Sequence, residues 1–155
     1  MQIVNSQPPG LGKSLGFCVG TSRAARDGVA RGDELRGRAK RFAIRALKFV
    51  KTLPHDPATL AVARQLGKSA PSVSANYHSA GRSRSSAEFR ARLGLVVDEA
   101  DETVGWLEML KESGSAAGSE LDWLVQESRE LRAIFVQALK TARMNAQRSQ
   151  EEGRA

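Results

Sequence analysis

A chain of 155 residues with 41% apolar side chains is the size of one domain and long enough to bury a core. Its net charge of +7 constrains partners rather than fold, and no apolar run is long enough to span a bilayer. Cys18 is the single cysteine, which excludes an internal disulfide and a multi-cysteine zinc site. The first residues also lack the apolar stretch of a secretory signal, so a cytoplasmic protein fits.

Residues 1–33 are rich in glycine, carry Pro8-Pro9 and scattered arginines, and show no apolar period. They are expected to form a disordered or loosely held arm before a folded unit at 34–148, with a frayed tail at 149–155. Gly10-Leu11-Gly12-Lys13-Ser14 ends like a phosphate loop but lacks the spacing and the preceding strand.

A first helix is expected from Leu35 to Leu53, where Leu35, Ala39, Phe42, Ala46, Phe49 and Leu53 recur at steps of three and four. Arg38, Arg41, Arg45 and Lys48 form a basic stripe beside that face, and Pro54 ends the helix. Asp56-Pro57 reads as an N-cap followed by proline at the first helical position. The second helix then runs from Pro57 to Ala80 on Leu60, Leu66, Ala70, Val73 and Tyr77, beside a small polar stripe of Gln65, Ser69, Ser72 and Asn76. Pro71 lies inside it and predicts a kink. After the turn Gly81-Arg82-Ser83-Arg84, Ser85 and Glu88 form a capping box for a third helix to Glu112. Its inward set is Phe89, Leu93, Val96, Ala100, Val104, Leu107 and Leu110. Residues 113–118 form a flexible loop, and Ser119 with Asp122 opens a fourth helix on Leu121, Leu124, Ser128, Leu131, Phe135, Ala138 and Ala142. Four amphipathic helices with short connections predict an all-α, antiparallel up-down-up-down four-helix bundle.

The charges are segregated. Residues 98–128 hold nine acidic side chains and one basic, whereas the segments before and after are basic. Such a layout serves an anionic partner, or it packs basic helices beside acidic ones. The cations Arg38, Lys40, Arg41, Arg45, Lys48, Arg82, Arg84, Arg90 and Arg92 are the candidate nucleic-acid-binding set, because the arginine fork suits phosphate. The carboxylates Asp98, Glu99, Asp101 and Glu102 do not match a bundle metal site, which needs Glu-x-x-His units that this chain lacks. Glu99 or Glu102 is expected instead to pair with arginines of a neighbouring helix. No nucleophile–base set surrounds His78, so no enzyme and no cofactor is expected. Asn76 and Tyr77 near a helix end either contact nucleic acid or hold the next helix by hydrogen bonds. Trp106 and Trp123 belong to the core or to a subunit contact.

The run Ser72 to Phe89 resembles the signature of a known family, the bacterial four-helix-bundle proteins found in intervening sequences of large-subunit ribosomal RNA. The matching residues are Asn76-Tyr77, Arg82, Arg84-Ser85 and Glu88-Phe89, then Glu99-Ala100-Asp101-Glu102-Thr103 and Trp106-Leu107-Glu108. The resemblance spans about residues 36–143. The accessory variability determinant proteins of retroelements are similar in form. The resemblance implies a homo-oligomer, a pentamer, and makes the acidic residues look like structural partners of arginines such as Arg82 or Arg84. It also implies a non-catalytic scaffold associated with nucleic acid, RNA above all, or alternatively a protein-interaction adaptor.

Overall fold

The computed structural model describes residues 23–153. Expectations for residues 1–22, Cys18 and the glycine-rich Gly10–Ser14 run included, lie outside the described residues. Four helices follow in order: α1 Arg23–Val50, α2 Pro57–Ala80, α3 Ser86–Glu112 and α4 Ser119–Glu152. There is no strand among the described residues. Each helix packs on its chain neighbours and α1 closes the ring against α4, so α1 lies diagonal to α3 and α2 to α4.

The core is one cluster built from the periodic faces. Phe42, Leu66, Leu93, Leu107, Leu124, Leu131 and Phe135 are almost wholly buried. Leu60, Phe89, Ala138 and Ala142, expected inside, are only half-buried. In α2 the inward positions next to Leu66 are instead Thr59, Ala63 and Ser69. Ser69 is satisfied across the α2–α3 seam, where its hydroxyl and that of Thr103 are in hydrogen-bond contact at 3.0 Å, so the small polar stripe allows close approach without an orphaned group. Tyr77 reaches across the bundle to Phe135, ring centroids 5.0 Å apart and tilted by 51°.

Helix ends follow local chemistry. Asp56 accepts from the backbone N–H groups of Ala58 and Thr59 at 3.1 and 3.0 Å, with Pro57 at the first helical position. Ser85 accepts from Glu88 N–H at 3.1 Å, while the Glu88 carboxylate reaches back to Arg84 N–H rather than to Ser85. α2 is continuous through Pro71.

Four helix ends differ from expectation. α1 begins at Arg23, so residues 23–33 are helical rather than part of a loose arm, and it stops at Val50, with Leu53 buried in the following turn. α4 is capped by Gly118 at φ 114°, not by Ser119; the capping residue offers no side-chain bond, and its backbone conformation favours glycine. α4 also continues to Glu152, past the expected fraying point.

Candidate nucleic-acid interface

The nine candidate cations separate into two groups. Arg38 and Arg45 project from α1 onto α4. Arg38 donates through Nε and Nη2 to the two carboxylate oxygens of Glu127, both at 2.7 Å, and through Nη2 to Glu130 at 2.6 Å. Arg45 makes the same two-pronged contact with Glu120 at 2.6 Å and lies over the Trp123 ring, 3.7 Å from its centroid. The carboxylates stabilise the Arg38 cation further, and the Arg45 guanidinium holds the Glu120 carboxyl below its ordinary range. Arg92 pairs within α3 with Glu88, whose carboxyl is held low by Arg84 N–H and then by Arg92. These three are occupied inside the protomer.

Lys40, Arg41, Lys48, Arg82, Arg84 and Arg90 make no ion pair among the described residues. Lys40, Arg41 and Lys48 lie on the exposed side of α1. Arg82 and Arg84 protrude from the α2–α3 turn, and half-buried Arg90 follows them, its guanidinium bonded only to Ser86 Oγ at 2.7 Å. The α2–α3 turn shares its end of the bundle with the α4 C-terminal segment, since Arg84 and Ser85 line a shallow pocket with Asn145. Arg36 joins α1 to this end, for its guanidinium lies where a side chain on Gly81 would stand.

The expected pairing of the acidic cluster is corrected here. Neither Arg82 nor Arg84 meets Glu99 or Glu102; the cluster's ion pair is Asp101 with Arg132 of α4 at 3.2 Å. The reason is geometric: the turn sits at the start of α3, roughly four to five helical turns from those carboxylates. Burial, then the neighbouring Glu102 carboxylate, raises the Glu99 carboxyl above its ordinary value, against the pull of Lys68. No three His, Cys, Asp or Glu side chains converge among the described residues.

Asn76 and Tyr77 are half-buried, and neither side chain makes a hydrogen bond among the described residues; ring packing on Phe135 holds Tyr77, and burial raises its phenol pKa. Trp106 and Trp123 are half-buried against the core, and the Trp106 indole N–H is buried without an acceptor. No helix among the described residues is long and apolar enough to cross a membrane. Sequence reasoning missed the roles of Glu120, Glu127 and Glu130, although a signal existed: Glu120 and Glu127 repeat at the same seven-residue interval as Arg38 and Arg45.

A family model described as 23S rRNA-intervening sequence protein matches residues 34–137. Among solved structures, the chain is similar to a protein of unknown function from the S23 ribosomal protein family of Bacteroides thetaiotaomicron. The two are 24% identical, with a TM-score of 0.64 over 70% of this chain and 97% of the other. No curated protein matches the chain.

Proposed function

Because the chain belongs to the 23S rRNA-intervening sequence protein family, we propose that it is a non-catalytic, oligomeric scaffold that associates with RNA through its unpaired cations. The observation that carries this reading is the division of the basic set. Three candidates are neutralised by carboxylates of the same chain, while six, on exposed α1 and around the α2–α3 turn, make no ion pair among the described residues. Unpaired arginines and lysines on a rigid surface gain by neutralising phosphates and releasing counterions, largely without regard to sequence. Several copies add their weak contacts by avidity.

The test is RNA affinity of the nuclease-treated protein across a salt series. Six phosphate contacts to single-stranded RNA give a slope of about −4 in log affinity against log salt, or roughly a 300-fold loss between 50 and 200 mM. Arg82→Glu with Arg84→Glu removes two contacts and flattens the slope by about 1.4. Absence of binding at moderate salt overturns the reading. The adaptor alternative then gains, favoured by Ile44 and Leu47, apolar and 45% and 38% exposed on α1.

A further inference from the structure

Two surfaces are uncovered among the described residues, and each has what the other lacks. The first is an open groove of about 620 Å³ between α1 and α2. Ile44 and Leu47 form its apolar wall, Ala43, Ser74 and Ala75 leave its floor shallow, and Lys40 stands at its rim. The second is the outer face of α3. Leu95 and Met109 are 54% and 48% exposed there. Asp98 and Glu102 lie between them at helical spacing, with half-buried Glu99 alongside. None of these three carboxylates has an ion-pair partner among the described residues.

We propose that the outer face of α3 on one copy docks into the α1–α2 groove of a second copy. Leu95 or Met109 fills the groove against Ile44 and Leu47, and Glu102 and Asp98 meet Lys40 at its rim, which then serves the subunit contact and leaves the RNA-facing set to the other five cations. The seven residue steps from Leu95 to Glu102 span about 10 Å of helix, so an anchored Leu95 carries the carboxylates to Lys40 beside Ile44. A second copy fits better than an unrelated protein because both faces belong to the same chain. α1 and α3 are diagonal, so the faces look to opposite sides of the bundle, and one copy can use both at once. Such a head-to-tail contact closes into a ring when its rotation permits. The inference deepens the oligomeric part of the proposed function by naming its surfaces, and it rests on that part alone.

A heterologous contact has a signature that a symmetric one lacks. Leu47→Glu spoils the groove face and leaves the α3 face intact; Leu95→Glu does the reverse. Both positions are exposed, so helix content by circular dichroism should match wild type. Ile44→Glu and Met109→Glu form a second pair should either variant lose helicity. By sedimentation velocity, wild type is expected to be an assembly, each variant alone a monomer with roughly tenfold or more weaker self-association. An equimolar mixture is expected to stop at a heterodimer, joined through the one intact face of each chain. A monomeric wild type overturns the inference together with the oligomeric reading. Assembled variants, or a mixture that stays monomeric, overturn the surfaces while the oligomeric reading stands.

Discussion

Thr103 shows how a single side chain settles a seam. Its hydroxyl bonds Ser69 at 3.0 Å and the carbonyl of Glu99 at 2.7 Å, in a place where α2 and α3 leave no room for water-exposed groups. Thr103→Val keeps the shape and leaves the Ser69 hydroxyl unpartnered, so chemical denaturation should show a loss of about 1–2 kcal/mol. Ser85→Ala removes the α3 cap and should cost about 1 kcal/mol in the same assay. The acidic side chains set the pH dependence. Arg45 lowers the folded value of Glu120, and a carboxyl lowered in the fold stabilises above its unfolded value, here 4.5, and loses that contribution as pH falls through the lowered one. Glu120→Gln should therefore flatten the fall in stability below pH 4.5 and change little in the pH dependence above it. An unchanged acid limb would mean that the ion pair does not form in solution.

At the scale of elements, the legible features were those with a local chemical cause. Asp56-Pro57 marked the start of α2, Ser85 the start of α3, and the steps of three and four in α3 placed its buried side correctly from Leu93 to Leu110. The first part of α1 was not legible, because a polar helix interrupted by Gly28 and Gly32 has no stripe to read. Gly118 was missed because its role lies in its backbone angle, while Ser119 beside it looks like a better cap. The α1–α4 seam depends on pairing across the chain. Arg38 faces Glu127 and Arg45 faces Glu120, an antiparallel match at equal spacing. Glu127 is 13% exposed, so Arg38→Gln leaves a largely buried carboxylate without its partner. Urea unfolding should show about 1–2 kcal/mol lost, with helix content unchanged in water.

For the whole molecule, the basic side chains of α1 fall into two groups. One edge, Arg38 and Arg45, is turned onto the acidic side chains of α4 and holds the bundle shut. Lys40, Arg41 and Lys48 are instead exposed. Sequence alone left both uses of segregated charge open, since the sign of a side chain does not say which neighbour it meets. The three-dimensional arrangement pairs Arg38 and Arg45 with acidic side chains of α4 and leaves other cations exposed, and the proposal that the exposed ones meet RNA is the central claim. The most direct measurement compares two double variants for both RNA affinity and unfolding midpoint. Arg38→Gln with Arg45→Gln should lower the midpoint and leave affinity within about twofold, because it touches no unpaired cation. Arg82→Glu with Arg84→Glu should leave the midpoint in place and cut affinity roughly tenfold or more at low salt. The opposite pattern, with affinity following Arg38 and Arg45, would contradict the division.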